Sequence, residues 1–108
     1  VNPNPKTLVA TLEADGSLRL NKESGFGTID DPGKLIDSLK DVFAERVEND
    51  DISAAFADEP GRPTSDRVER TVFIRAPRST GYGQVAKLVD AVKTAGAFPI
   101  SLQIDDLQ

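Results

Sequence analysis

RTVFIRAPRSTGYGQVAKLVDAVKTAGAFPISLQI, residues 70–104, changes its hydrophobic period twice. Val72, Ile74 and Ala76 alternate with Thr71, Phe73 and Arg75 in a run rich in β-branched and aromatic residues. This reads as a strand over 70–76, ended by Pro77. Apolar residues at both parities predict a central strand, covered on at least part of each face. Tyr82, Val85, Leu88, Val89 and Val92 then recur at the three- and four-residue spacing of one helical stripe. Ser79 or Thr80 offers a cap before this stripe and Gly96 a left-handed stop after it, which predicts a helix over 81–95. Finally Phe98, Ile100, Leu102 and Ile104 alternate with Pro99, Ser101 and Gln103. That is a strand with one dry face, and Pro99 suits its first or an edge position. A strand–helix–strand unit of this length predicts parallel pairing through a right-handed crossover.

Working upstream, Leu8, Ala10 and Leu12 alternate with Thr7, Val9 and Thr11, and Leu18 and Leu20 flank Arg19. With Asp15-Gly16 supplying positive-φ turn positions between them, residues 6–21 form a hairpin. Gly25-Phe26-Gly27 is too small and isolated for a phosphate loop, and reads as a bend carrying one buried Phe. Asp30-Asp31-Pro32 opens a helix, with a carboxylate cap and proline at the first helical position. Its stripe of Leu35, Ile36, Leu39, Val42, Phe43 and Val47 predicts a helix over 32–48, with Lys34, Asp37, Lys40, Asp41, Glu45 and Glu48 on the opposite side. The start, Val1-Asn2-Pro3-Asn4-Pro5, has no periodicity and reads as an extended tail or linker.

Residues 49–69 read as a long loop, rich in Asp, Gly and Pro, in which Ile52–Ala57 either extends the helix or docks Phe56 on the core as a short turn. Asp50, Asp51, Asp58 and Glu59 lack the alternating spacing and trailing Glu of a Ca²⁺ loop, so no metal site is assigned. Shortening the loop is expected to leave the fold largely intact.

The element order β-β-α-(loop)-β-α-β, with one apolar stripe per helix, predicts an α+β fold. It is a two-layer sandwich with both helices on one face of a small mixed sheet. One domain is all that 108 residues support. Thirteen Lys and Arg against 18 Asp and Glu leave a net charge of −5, which opposes approach to nucleic-acid phosphates. The chain has no Cys and no His. That removes thiolate chemistry, zinc–thiolate sites and the commonest general base. None of its 12 Asp and 6 Glu forms a pair that spacing singles out for glycoside chemistry. Composition therefore predicts binding rather than catalysis, with no catalytic residue, cofactor or metal. The chain begins at Val1 and contains no Met, so it reads as a piece of a longer protein.

The order and spacing of several short motifs carry a resemblance. They are Arg70-Thr71-Val72-Phe73-Ile74-Arg75-Ala76; Tyr82-Gly83-Gln84-Val85 opening the helix; Ala95-Gly96; and Pro99-Ile100-Ser101-Leu102-Gln103-Ile104. In front of them stand an alternating strand, Asp15-Gly16 and a Leu-rich return strand with Asn21. Together they resemble the extracytoplasmic domain of the ExbD/TolR family, over all of the chain except 1–5 and 49–69. Two departures stand out. Ala76 is followed by Pro77-Arg78 where the family usually has an acidic residue, and the 49–69 segment is longer than the usual connection.

The resemblance implies a single-pass protein of the bacterial inner membrane. In it, residues 1–5 are the linker from a transmembrane helix outside this chain, which bears a proton-carrying Asp, and residues 6–108 form the periplasmic domain. It implies a homodimer working with an ExbB- or TolQ-like channel subunit, passing proton-driven motion to a TonB- or TolA-like energy transducer for outer-membrane transport. The candidate contacts for dimer or transducer are Tyr82 and the strand Ile100, Ser101, Leu102, Gln103 and Ile104, because an open sheet edge accepts a further strand. Pro99 has no N–H, so an added strand is expected to pair mainly beyond it. For their side chains, the plainer expectation is that Ile100, Leu102 and Ile104 are core and that Tyr82 lies on the sheet. A TolR-like role in envelope integrity is the alternative, with Arg75 and Arg78 meeting peptidoglycan carboxylates. A regulatory module binding a small ligand at a dimer interface is a third.

Overall fold

A computed structural model describes residues 8–53, 56 and 58–105, and of 104 and 105 only the backbone. The fold is the α+β two-layer sandwich that the sequence predicts. Strands β1 (Leu8–Leu12), β2 (Leu18–Leu20), β3 (Val72–Pro77) and β4 (Ile100–Asp105) form one sheet in the order β2-β1-β3-β4, with helices α1 (Gly33–Glu48) and α2 (Tyr82–Thr94) on it. β1 and β2 are antiparallel; β1 and β3, and β3 and β4, are parallel.

Register explains which face is dry. Leu8 pairs with Val72, Ala10 with Ile74 and Leu20, Leu12 with Leu18, so these side chains share one side of the pleat. All of them are buried, together with Leu35, Leu39 and Phe43 of α1 and Val85, Leu88 and Val92 of α2. The helices therefore cover this face, and burying such side chains stabilises the fold by about 1.5–3 kcal/mol each. The other face carries Thr11, Phe73, Arg75, Ser101 and Gln103. β3 is central by position, but of the two expected covers it has a helical one only; Phe73 is half-buried and Arg75 exposed.

The helix ends depart from expectation. Pro32 is itself the N-cap of α1, with no side-chain capping bond, because Asp31 is held in a turn whose N–H donates to Thr28 O at 2.9 Å. α2 begins after Gly81, and neither Ser79 nor Thr80 caps it; the Thr80 hydroxyl is buried without a partner among the described residues. The C-terminus of α2 is as expected. Gly96, at φ +100°, lets its N–H reach Lys93 O (2.9 Å) while Ala97 N–H reaches Val92 O (3.1 Å), the double bond of a Schellman closure. Asp50 takes the same left-handed position after α1 (φ 52°), its N–H reaching Val47 O (3.2 Å) while Asp51 N–H reaches Arg46 O (2.8 Å). In the turn between β1 and β2 Gly16 alone has positive φ: its N–H donates to Glu13 O and Glu13 N–H to Ser17 O, so the turn is one residue longer than the Asp15-Gly16 reading required. Residues 6 and 7 lie outside the described residues.

The 49–69 segment corrects the sequence reading most. It contains a 3₁₀ turn (Thr64–Asp66), and Ile52 bridges Val68. Val68 and Ser53 are buried, at 2% and 3% exposure. Ser53 donates its N–H to Arg67 O (2.8 Å) and its hydroxyl to Glu69 Oε1 (3.1 Å). Glu69 Oε2 accepts from the Thr71 hydroxyl, and Arg46 donates to the Glu69 carbonyl, tying segment, β3 and α1 together. Arg67 holds Phe56 O through two N–H groups, and the Arg70 guanidinium lies 5.2 Å over the Phe43 ring. Among the described residues no cluster of acidic side chains has the makings of a metal site.

Hydrogen bonds from Thr71, and then Ser53, hold the Glu69 carboxyl below its usual value against the opposing effect of burial. A depressed folded-state pKa contributes stability that is present above the unfolded pKa and is lost as pH falls through the folded one. Thermal melting followed downward from pH 6 to pH 3 is therefore expected to show a smaller acid-induced loss in Glu69→Gln than in the parent. Parallel acid limbs for the two chains would remove Glu69 as the linked group.

Candidate functional site

The two edges of the sheet are finished differently. Outside β2, residues 21–29 fold back along the strand: Leu18 N–H donates to Gly27 O and Leu20 N–H to Glu23 O, both at 3.0 Å. Asn21, at φ 56°, helps to start that return. Its N–H reaches Val9 O while its side-chain oxygen accepts from Val9 N–H (3.0 Å), extending the β1–β2 ladder by one side-chain rung. Gly27 is fixed by space as well as by φ (+88°), since a Cβ there would stand 2.5 Å from Asp31 O. The Gly25-Phe26-Gly27 bend thus closes an edge, and its Phe26 is half-buried against the core.

Outside β4 no described strand or loop pairs. The direction of its backbone groups follows from one bond. Val72 N–H donates to Pro99 O (3.2 Å), and Val72 is the register partner of Ile100. Backbone groups alternate sides along a strand, so the N–H and C=O groups of Ser101 and Gln103 face β3. Those of Ile100, Leu102 and Ile104 face outward. Pro99 precedes that row and contributes a carbonyl to β3, so its missing N–H takes nothing from the open edge. The groups open to an added strand thus lie beyond Pro99, because of strand alternation and not because of its missing N–H.

The structure brings the predicted strand residues together on this edge and places Tyr82 apart from them, at the start of α2. Ile100 is half-buried against the core, but Leu102 is 49% exposed, so the strand has no fully dry face. β4 projects past the cover of α2, which lies over β3. Ser101 and Gln103 are exposed on the helix-free face, and the Ile104 side chain lies outside the described residues. Tyr82 does not lie on the sheet; it is 84% exposed at the first residue of α2. The residue that sequence reasoning missed is Phe98, counted there in the dry face. It is 80% exposed, just before the edge strand, and bridges Arg70 through its N–H to Arg70 O (2.9 Å). Apolar alternation could not reveal this, because the pattern of an edge strand is the same as that of a covered one.

From Phe98 to Ile104 there is no charged residue, in a chain that is 29% charged. On the helix-free face, by contrast, Arg19, Thr11, Arg75 and Gln103 make one polar row across all four strands. Arg19 is paired there with Glu13 at 2.6 Å. The clefts lie elsewhere. One of about 790 Å³ sits between the β1–β2 turn and the 24–28 bend, wide open, lined by residues such as Asp15, Arg19 and Lys34. Asp15 is already engaged by the Ser17 hydroxyl and N–H, which hold its carboxyl below the usual value. Among the described residues no helix is long and apolar enough to cross a membrane. Neither the models of known protein families nor the curated proteins gave a match to this chain.

Proposed function

We propose that this chain is the periplasmic relay domain of an ExbD/TolR-like subunit, a binding module in a proton-driven complex of the inner membrane. Its β4 edge takes up an extended segment of a TonB- or TolA-like transducer, while an ExbB- or TolQ-like channel subunit supplies the motion. The observation that carries this reading is the open, uncharged edge strand with Leu102 exposed on it and Phe98 beside it. Strand addition supplies main-chain hydrogen bonds for affinity, and pockets for alternate side chains supply selectivity. Exposed aromatics beside such an edge are the residue type that carries most of the energy of an interface. Force passed along a sheet through a row of backbone bonds needs no catalytic group.

The test is an amide NMR titration of the isotope-labelled chain with the periplasmic segment of its transducer. Shifts are expected to concentrate at 98–105 and to fade in Phe98→Ala, which lacks the anchor but keeps the edge. Shifts spread over the β1–β2 turn and its clefts instead would abandon the edge for the small-ligand module. A TolR-like reading is favoured by one observation, that Arg75 is an exposed residue on the helix-free face. It predicts retention of the chain on purified sacculi and loss of that retention in Arg75→Glu.

A further inference from the structure

The two flanks of the open edge strand are unlike. On the helix side, Leu102 stands beside its register partner Ile74, and Ile100 beside Val72. α2 lies over β3 and turns one of its own flanks toward α1 and β1: Lys87 binds Asp30 (3.2 Å), and Gln84 shares a cleft with Leu12 and Ile29. At about 100° per residue the opposite flank, Tyr82, Ala86 and Val89, leans toward β4. A trough therefore runs between α2 and the edge strand. Ile100 and Leu102 form its floor, and Val89 lies half-buried along its side. An exposed aromatic marks each end: Phe98 precedes β4, and Tyr82 follows the loop after Pro77, the register partner of Asp105. Tyr82, Phe98 and Leu102 are the large apolar side chains left exposed among the described residues, and all three border this trough. The helix-free side is polar. Ser101 and Gln103 are exposed there, and the row running inward from Gln103 holds Arg75 and then Arg19, which is bound to Glu13.

We infer that the β4 edge selects an amphipathic strand. Its alternate residues are apolar and seat in the trough, and the residues between them are polar and offer carboxylates on the side of the arginine row. The inference rests on the strand-capture reading above and adds the side-chain pattern that the captured segment must have. Pairing geometry makes this a rule about alternation. A residue paired with Leu102 carries its side chain on the same side of the sheet as Leu102, so it enters the trough. Its neighbours along the strand turn to the helix-free side. Sliding the strand by one residue exchanges the two sets, so the parity of the segment is free and its alternation is not. A segment with consecutive apolar residues leaves half of them on the polar side in every register. Charge makes the second selection. Residues 98–104 are uncharged, so the arginine row sets the local sign, in a chain whose net charge is −5.

The experiment uses the 108-residue chain and fluorescence anisotropy with labelled synthetic peptides. One alternates valine with threonine and glutamate. The second is an isomer of identical composition with its valines consecutive, and the third is the first with lysine in place of glutamate. The alternating peptide is expected to bind at least about ten-fold more tightly than its isomer, a ratio that covering one valine side chain supplies. It is also expected to bind more tightly than the lysine version. Leu102→Thr, at a position already 49% exposed, is expected to stay folded and to bring the two isomers close together in affinity. Arg75→Gln is expected to remove the preference for glutamate over lysine. Isomers that bind equally tightly overturn the alternation rule and leave strand capture standing. Glutamate and lysine versions that bind alike overturn its carboxylate half. Tighter binding by a peptide with leucines at helical spacing overturns the rule as well and gives the trough to a helix. If none of the peptides binds, the edge reading falls and the inference with it.

Discussion

A chain lacking residues 50–62 is expected to melt more than about 20 °C below the parent, or not to fold at all. The deletion removes the Asp51 N–H bond to Arg46 O (2.8 Å), the two bonds that Ser53 donates to Arg67 O and Glu69, and the Phe56 carbonyl that Arg67 grips. At about 1 kcal/mol net for each bond, these amount to about 4 kcal/mol. Val68, at 2% exposure, also loses its bridge partner Ile52, and uncovering a valine side chain adds about 1.5–3 kcal/mol. The sum of about 6 kcal/mol is comparable with the whole stability of many domains this size, about 5–15 kcal/mol. At about 4–8 °C per kcal/mol the shift is large enough to read from a single melting curve. A fall of less than about 5 °C would return the segment to the solvated loop that its composition predicts.

That loop marks where sequence legibility ends. Elements held by periodic apolar burial were readable from residue spacing alone: both helices, all four strands, and the sharing of one dry face by Leu8, Ala10, Val72 and Ile74. What escaped is held by single polar contacts between residues far apart in the chain. Ser53 meets Glu69 across 16 positions and Arg46 meets the Glu69 carbonyl across 23, and neither distance leaves a periodic trace. The site was legible to the same degree. The edge strand was visible, but which of its backbone groups face outward depends on one bond, from Val72 to Pro99 O. Exposure of Tyr82 and Phe98 depends on where α2 lies over the sheet, which no stripe records. The caps failed for a related reason: an Asp or Thr before a helix is only a candidate until the turn around it fixes its backbone, as the bond from Asp31 N–H to Thr28 O does for Asp31.

Gly27→Ala is expected to open the second edge of the sheet. The methyl group would stand 2.5 Å from Asp31 O, inside any tolerable contact, and the residue would still need φ near +88°. Left-handed backbone at a residue with Cβ costs roughly 1–2 kcal/mol, and forced overlap in a tight site about 1–3 kcal/mol more. Relief comes most directly by moving residues 27–29 off β2, which frees Leu18 N–H from Gly27 O and Ile29 N–H from Gly16 O. The sheet then has unpaired strands on both sides, β2 as well as β4. Chains with two open edges join head to tail without closure, so the variant should show concentration-dependent light scattering in addition to a lowered melting temperature. Gly25→Ala supplies the contrast. Gly25 has the same left-handed φ (+91°) but nothing within 4 Å of an added Cβ, so it should lose stability and still keep its β2 edge closed. Scattering in both variants would assign the effect to backbone strain alone. Scattering in Gly27→Ala only would show that one close approach, glycine against a carbonyl, keeps the β2 edge closed.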